Sequence, residues 1–300
     1  MISTTRQYNV ISTGISVCTL CFITTSTYAV DLNSQDLIPA PAGTNAVLGY
    51  MTYATRDSFA TSNGTQIKNN TELKSLVGIF RYVHYMDIGG YIVAPQVLLP
   101  YGGLYDGSLN NTHLDSGTGA GDPIFAAPVW LINTSKTNFA VVPYLYVPVG
   151  AYDAGRTLNV GENRWKFNLQ LGGTQQLGSG FSTQISADVM WYGDNKDATG
   201  NDVGLLEQDH TYQFQGWLTY TPPLDKTWTL AAGYSKYWGG KQTLDGIENG
   251  QMTKVDQIRL ELSKFVAPTI QLQGQLQRDL KAEGAFKEDL RATLRLMKVF

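Results

Sequence analysis

Residues 286–300 close the chain and read Phe-Lys-Glu-Asp-Leu-Arg-Ala-Thr-Leu-Arg-Leu-Met-Lys-Val-Phe. Taken at every second position, apolar side chains separate from charged and polar ones. One set is Phe286, Leu290, Ala292, Leu294 and Leu296, and the other is Lys287, Asp289, Arg291, Thr293 and Arg295. Because side chains of a β-strand alternate between two faces, the stretch predicts a strand with one apolar and one charged face. On a helix the same residues would scatter around the axis and leave no apolar stripe.

Two kinds of sheet would use such a strand. The first has lipid on one face and water on the other. The second is the outer layer of a soluble sandwich, which packs its apolar face on a core and turns its polar face to solvent. The rest of the chain distinguishes these two interpretations.

The composition excludes several classes of protein. A net charge of −3 gives no basic signal for binding nucleic acid. A mean hydropathy of −0.16 is too polar for a bundle of membrane helices. The 31 glycines and the 11% share of aromatic residues favour a protein with many strands and turns.

The first residues have the layout of a secretory signal. Arg6 precedes a moderately apolar run, and Thr27 and Ala29 are small residues at the two positions that define a cleavage site. Residues 1–29 are therefore predicted to be a signal peptide that is removed. Cys18 and Cys21, the two cysteines of the chain, lie inside this segment. The exported protein is therefore expected to fold without disulfides.

The segment after the signal shows neither the helical nor the strand period. Residues 30–43 are polar and contain Pro39 and Pro41, and we expect them to form a periplasmic N-terminal leader. Residues 44–300 are then predicted to form one β domain.

Twelve strand-length runs follow in this domain. They are residues 44–54, 74–86, 88–100, 121–133, 136–149, 163–177, 180–192, 209–221, 226–238, 252–264, 268–280 and 286–300. The last seven alternate clearly, and residues 268–280 place Ile270, Leu272 and Leu276 opposite a row of glutamines. The first five are apolar on both faces in places and contain prolines, so their inward and outward sides stay open.

The connections alternate in length. The long ones are residues 55–73, 101–120, 150–162, 193–208 and 239–251, and the turns between them are short. Outer-membrane barrels have short periplasmic turns, longer extracellular loops and an even number of strands. A soluble sandwich gives no reason for this alternation. The sequence therefore predicts an all-β fold, a transmembrane antiparallel up-and-down β-barrel of about 12 strands in a bacterial outer membrane, with periplasmic termini.

Both faces of the predicted strands suit a barrel in lipid. Aromatic residues collect at the strand ends, as expected for girdles at the two membrane interfaces: Trp165, Trp191, Tyr192, Tyr220, Trp228, Tyr237 and Trp238. The glutamines and charges of the other face would be costly in a dry core, because buried polar groups need partners. They are typical of a wet lumen.

Several glycine and proline motifs resemble those of one known family. They are Pro41-Ala42-Gly43-Thr44-Asn45, then Gly89-Gly90 with Pro95-Gln96 and Leu99-Pro100, and then Gly119-Ala120-Gly121-Asp122-Pro123 with Trp130 downstream. The resemblance is to outer-membrane β-barrels named for transport in the meta-pathway of phenol degradation. It implies a channel for passive uptake of small solutes, with aromatic or hydrophobic compounds favoured, and no catalytic residues.

The resemblance extends to the C-terminus. Phe300 resembles the general signal that the barrel-assembly machinery reads, so that machinery, outer-membrane lipid and a small solute are the expected partners. Lys298 departs from this signal, which usually has an apolar or aromatic residue there, although a lysine near the interface can snorkel.

The inward face supplies the candidate functional residues. The predicted pore-lining residues are Lys166, Asp188, Arg259, Glu261, Gln271, Gln273, Gln275, Asp289, Arg291 and Arg295. Rings of charged side chains set selectivity in pores. The alternative is a structural network in which these charges brace the wall. The loop at residues 101–120 is a second candidate for a constriction, and its composition does not decide whether it folds inward.

The sequence does not favour catalysis. A barrel hydrolase needs a nucleophilic serine beside an oriented histidine. Ser235 and Ser263 lie on predicted strands without a nucleophile motif around them, and the histidines are His84, His113 and His210. No cofactor or metal motif is found. The alternative to a channel is a surface-exposed structural or adhesive barrel without transport. A less favoured alternative is an outer-membrane lipid or ester hydrolase.

Overall fold

A computed structural model describes residues 31–198, 204–248 and 252–300. The predicted signal peptide and both cysteines lie outside the described residues. The twelve long strands are β1 (Asn45–Arg56), β2 (Glu72–His84), β3 (Gln96–Leu109), β4 (Ile124–Ala126 continued by Val129–Asn133), β5 (Thr137–Tyr146), β6 (Lys166–Gly178), β7 (Phe181–Tyr192), β8 (Thr211–Tyr220), β9 (Trp228–Gly239), β10 (Thr253–Ala267), β11 (Ile270–Glu283) and β12 (Leu290–Val299).

Short strands also form within the connections between the long strands. They are Ser58–Ala60, Gln66–Ile67, Met86–Ile88, Tyr91–Val93, Thr112–His113, Thr118–Ala120, Leu206–Gln208, Gln242–Leu244, Ile247–Glu248 and Ala285–Lys287. Within the described ranges no helix is long and apolar enough to cross a membrane.

The long strands form one closed antiparallel sheet. Each pairs with its sequence neighbours. β12 then pairs with β1, from Val299 opposite Ala46 to Leu290 opposite Thr55. Because the last strand closes on the first, the sheet leaves no unpaired edge, which is the condition for a sheet in lipid. The predicted twelve-stranded antiparallel barrel is confirmed.

The barrel wall is apolar outside and polar inside. On β10, Ile258, Leu260 and Leu262 are exposed, whereas Arg259 and Glu261 between them are buried. The other late strands repeat this pattern. A soluble protein buries its apolar side chains and exposes its charges, so this inverted arrangement fits a barrel whose outer face meets hydrocarbon.

The connections are long at one end of the barrel and short at the other. The ends of β6 and β7 are joined by two residues, 179–180, and those of β10 and β11 by residues 268–269. At the opposite end, β5 and β6 are separated by residues 147–165. That the short turns and both termini lie in the periplasm stays a prediction.

The third strand begins later than the sequence predicted. We expected a strand at residues 88–100 and a loop at 101–120, but β3 runs from Gln96 to Leu109. The apolar residues before it form a small hairpin of Met86–Ile88 and Tyr91–Val93, which turns at two glycines with φ of 62° and 89°. Both segments are apolar and of strand length, so periodicity alone could not separate them.

β4 is interrupted where its neighbour carries a proline. Its two halves are separated by Ala127 and Pro128, and the facing residue of β5 is Pro143. Proline has no N–H to donate to the sheet. The Ala127 N–H still donates to the Pro143 carbonyl, and the Pro128 carbonyl accepts from the Ala94 N–H on the other side of β4. Each proline therefore removes one donor on a different side of β4, and the barrel closes despite them.

Three aromatic residues lie elsewhere than predicted. Phe286 precedes β12 and packs edge-on against Phe59, with ring centroids 5.3 Å apart, so it is not on the lipid face. Tyr192 and Tyr237 were expected in the girdles, but their hydroxyl oxygens lie 3.3 Å apart inside the barrel. Tyr192 and Tyr237 keep the alternation of β7 and β9 and fall on the inward face, next to Met190 and Ser235, so their position near a strand end did not make them girdle residues.

Candidate functional site in the barrel lumen

The N-terminal residues 31–38, which we call the lumen segment, lie inside the barrel. Its backbone bonds the inward glutamines: the Leu32 N–H donates to Gln215 Oε1 over 3.0 Å, and the Leu37 N–H donates to Gln184 Oε1 over 3.1 Å. We expected residues 30–43 to precede the barrel as a leader. The larger part of that stretch instead uses the polar wall as its hydrogen-bonding partner.

Two tryptophans also hold the lumen segment, by donating hydrogen bonds to its carbonyl oxygens. Trp217 Nε1 donates to the carbonyl oxygen of Leu32 over 3.1 Å, and Trp130 Nε1 donates to that of Leu37 over 2.8 Å. Trp217 has room because β9 has a glycine there: a Cβ on Gly233 would lie 2.6 Å from its ring. Buried tryptophans usually find a partner for their N–H, and here the partner is the lumen segment.

Asp31 is held between two arginines. It forms an ion pair with Arg259 and another with Arg291, the second at 3.2 Å between Nη1 and Oδ2. Gln213 Nε2 donates to the same carboxylate over 2.8 Å. Charge-assisted bonds of this kind are the stronger ones in proteins, so they fix the start of the lumen segment against the wall.

Asp36 is held in the same way by a second pair. Arg295 Nη1 lies 3.1 Å from Asp36 Oδ1, and Arg81 Nη1 lies 3.7 Å from Oδ2. Glu261 of β10 adds contacts of the opposite polarity, because its carboxylate accepts hydrogen bonds from the Ser34 hydroxyl and from Asn33 Nδ2. The lumen segment therefore offers carboxylates to the arginines of the wall and neutral hydrogen-bond donors to Glu261.

The lumen segment leaves a cavity of about 310 Å³. One side of the cavity is largely apolar and comes from β2, β3 and nearby residues: Val77, Ile79, Leu98, Pro100, Leu104, Ile124 and Val160. The other side is polar and includes Asp31, Asp36, Gln275, Arg291 and Thr293, and Arg81 adds a cation at the β2 side. A pocket with apolar walls and a few convergent polar groups is typical of small-molecule sites.

Several predicted pore-lining residues are buried among their neighbours on the inner wall. Lys166 lines the cavity, pairs with Glu162, and has its ammonium 4.5 Å from the ring centroid of Tyr146. Asp188 accepts hydrogen bonds from Asn168 and Gln170. These contacts fit the network interpretation.

The remaining predicted residues fall into three groups. Arg259, Glu261, Arg291 and Arg295 contact the lumen segment, as described above. Gln271 accepts a hydrogen bond from Arg295 over 2.7 Å, Gln275 lines the cavity, and Gln273 is buried on the same strand. Asp289 differs, because it lies just before β12 and its carboxylate accepts a solvent-exposed hydrogen bond from the Asp57 N–H. It lies at the rim of the barrel.

The Gly121-Asp122 part of one sequence motif connects neighbouring loops beside the cavity. The Asp122 carboxylate accepts hydrogen bonds from the Gly150 N–H at 3.0 Å and from the Glu162 N–H at 2.9 Å. Burial raises the pKa of this carboxyl, which lies in a connection outside the strands. Asp122 and Gly121 also line the cavity. The loop that ends here thus contributes to the site, although its first part, residues 101–109, belongs to β3.

Sequence reasoning missed the lumen segment itself and some of its partners on the wall. Asp31 and Asp36 were part of a stretch without period, and Arg81 lies on a strand whose faces were ambiguous. Trp130 was noted only as part of a motif. The available signal was complementarity: two acidic residues before the barrel face an excess of inward arginines.

The three histidines have structural contacts and form no common site. His84 Nδ1 lies 2.8 Å from Asn45 Oδ1, His113 lies beside Asp115 at the surface, and His210 packs on Trp191. In the part of the chain that the structure describes, no group of three or more His, Cys, Asp or Glu residues could hold a metal ion.

The comparisons with known proteins agree with this architecture. Residues 56–296 match a family model described as "Putative MetA-pathway of phenol degradation". The crystal structure of an outer membrane channel from Pseudomonas putida F1 is 32% identical, with a TM-score of 0.85, and the alignment covers 90% of this chain and 100% of that one. The β domain of the Bordetella autotransporter BrkA has 10% identity and a TM-score of 0.52, with 85% and 99% covered, and supports the fold alone. No curated protein matches the chain.

Proposed function

Since the chain belongs to this phenol-degradation family, of which the Pseudomonas channel is a solved relative, we propose that it conducts small amphipathic solutes passively across the bacterial outer membrane. The solutes would have an apolar body, such as an aromatic ring, and a polar group. They would move down their gradient through the lumen.

The two-sided cavity is the observation that supports this proposal. Its apolar side, which includes Ile79 and Leu98, offers contact to a ring, and its polar side, which includes Gln275 and Arg291, offers hydrogen bonds. Conduction requires binding that is weak enough for release. A cavity of about 310 Å³ has the size of a small-molecule site.

The lumen segment is the constriction of the proposed channel. It contacts β7, β8, β10 and β12 and reaches Arg81 of β2. The proposed path of the solute is the cavity that remains, which is lined by β1–β3, β11 and β12. In this interpretation Arg259, Glu261 and Arg295 act on permeation by positioning the lumen segment, whereas Gln275 and Arg291 also meet the solute.

Currents through the purified protein in planar bilayers test the proposal. We expect discrete openings in salt alone. Phenol or another amphipathic solute should then interrupt the current, because a molecule in the cavity excludes ions while it is bound. Absence of openings under all conditions would contradict the proposal.

A structural or adhesive barrel is the second candidate, and one observation favours it. That function predicts a plugged lumen, and the lumen segment fills part of the lumen through ion pairs to Arg259 and Arg295. Removing residues 31–38 distinguishes the two functions. If the intact protein does not conduct and the shortened one does, the lumen segment is a permanent plug.

Catalysis is not part of the proposal. Ser235 accepts a hydrogen bond from Arg259 and donates one to Gln257, so its partners are those of the wall network.

We also propose that the barrel-assembly machinery recognises the C-terminus. Phe300 is exposed there, and its backbone N–H and C=O both bond Asn45.

A further inference from the structure

Each aspartate of the lumen segment lies between two arginines that differ in their surroundings. Arg259 and Arg295 are almost fully buried, with side chains 1% and 6% exposed. Their partners across the carboxylates, Arg291 and Arg81, are 18% and 16% exposed and line the cavity. Both carboxylates therefore sit where the buried arginines meet the solute space.

Among the described residues, four cationic side chains line the cavity, and of these Arg81 and Arg291 contact the lumen segment, whereas Arg56 and Lys166 pair with glutamates of the wall. Arg81 is held by Gln96 at 2.6 Å and Tyr50 at 3.2 Å, and Arg291 is held by Glu288 at 2.7 Å. These contacts hold the two guanidinium groups beside the carboxylates of Asp36 and Asp31. A guanidinium accepts a carboxylate in a two-bond geometry.

We propose that Asp31 and Asp36 occupy a carboxylate-binding site of the channel, and that small organic carboxylates with an apolar body compete for it and displace the lumen segment. The inference rests on the proposed channel function and adds the solute class and a means of opening. The carboxylate of the solute would take the place of Asp36 at Arg81, or of Asp31 at Arg291. Its apolar body would lie against Ile79 and Leu98.

The competition has a defined strength. The aspartates are attached to the barrel, so they act at the effective concentration of a tethered ligand, which is on the order of millimolar for short flexible linkers. A free carboxylate must therefore reach the millimolar range or above to displace them. Displacement should be graded with concentration and should depend on the charge of the solute.

Accessibility of a cysteine in the lumen segment measures displacement directly. Ile38→Cys places a thiol at a half-buried position of the segment's C-terminal end. We would follow its reaction with a water-soluble maleimide, in protein purified from outer membranes, with benzoate as the probe and benzyl alcohol as the uncharged counterpart. Benzoate is expected to raise the labelling rate on the order of fivefold or more at tens of millimolar, and benzyl alcohol should leave it unchanged.

Paired variants connect the effect to the carboxylates. In the Ile38→Cys background, the double change Asp31→Asn with Asp36→Asn removes the competing charges, so labelling should be fast without benzoate and gain nothing from it. Asp115→Asn with Asp194→Asn removes the same net charge from exposed loop positions and should behave as the parent. Heat-dependent mobility in gels would confirm that each variant is folded.

The inference is overturned if benzoate leaves the labelling rate unchanged in a protein that conducts, or if benzyl alcohol is equally effective. A protein that shows no current in any form would instead contradict the proposed function. The two failures are therefore distinguishable, because labelling does not require conduction.

Discussion

At the scale of single residues, Glu288 shows how this barrel stabilises buried charge. It lies in the connection before β12, is fully buried, and pairs with Arg56 and Arg291. Burial alone would raise the pKa of the carboxyl, but the two guanidinium groups outweigh it and lower the pKa to about 2. Such a pair is costly to break, because the remaining charge stays buried.

The depressed pKa of Glu288 predicts a loss of stability in acid. Its folded-state pKa lies below the ordinary value of 4.5, so its contribution is present above pH 4.5 and is lost as the pH falls toward 2. Glu288→Gln should destabilise the barrel by roughly 3 kcal/mol at pH 7. It should also reduce the loss of stability below pH 4.5, which we call the acid limb. Urea titrations of the protein in lipid vesicles at several pH values measure both effects. Glu248→Gln, at an exposed position, is the control, and an equal acid limb in Glu288→Gln would contradict the assignment.

A glycine on β9 predicts a second effect at the residue scale. Gly233→Ala would place a methyl group 2.6 Å from the Trp217 ring, so the ring must move and weaken its bond to Leu32. We expect a looser lumen segment and a higher channel conductance. Gly216→Ala is the matched control, because its Cβ would lie 4.0 Å from the nearest side chain and should change neither property. An unchanged current in Gly233→Ala would show that Trp217 does not position the segment.

At the scale of elements, the late strands were predictable because each has one face in lipid and one in water. Where both faces of a stretch were apolar, as in residues 88–100, the alternation gave no boundary. The hairpin of Met86–Ile88 and Tyr91–Val93 was therefore merged with the strand that follows it. The start of β12 was placed four residues early, at Phe286, for a related reason. Phe286 is apolar and has the correct parity for the outer face, but it packs in a small apolar cluster among the connections.

That cluster predicts a local effect. Phe286 packs with Phe59, Leu73, Leu104 and other buried apolar residues in the part of the barrel where the long connections lie. Phe286→Ala should cost about 3 kcal/mol of packing and open the connection at residues 57–71 to proteases, while the barrel strands stay intact. Limited proteolysis with mass spectrometry of the fragments measures this. Ile247→Ala, at an exposed loop position, is the control, and cleavage within the strands would contradict a local role.

At the scale of the whole molecule, the sequence predicted the barrel but not what fills it. Closure, strand count and inward charge all follow from patterns that repeat along the chain. The lumen segment contacts residues far from it in the sequence, such as Gln184, which is 147 positions from Leu37, and Arg259, which is 228 positions from Asp31. No local pattern marks those pairs, so the inward arginines were identified without their partners.

The orientation of the wall predicts the response to a charge on its outer face. Leu260 is 61% exposed on β10, in the middle of the apolar band. Leu260→Arg should destabilise the protein in lipid vesicles by about 2–4 kcal/mol, the cost of a cation near the bilayer centre. Leu224→Arg, in a short connection, should be close to neutral. Urea titration in vesicles measures both, and a neutral Leu260→Arg would contradict contact with lipid.

The central claim is that a water-filled passage crosses this barrel and that the lumen segment narrows it. Single-channel conductance of the intact protein and of a form lacking residues 31–38 tests it most directly. We expect openings from the intact protein and a conductance roughly twofold or more higher from the shortened form, because the constriction is removed. Equal conductance of the two forms, or no openings from either, would contradict the account.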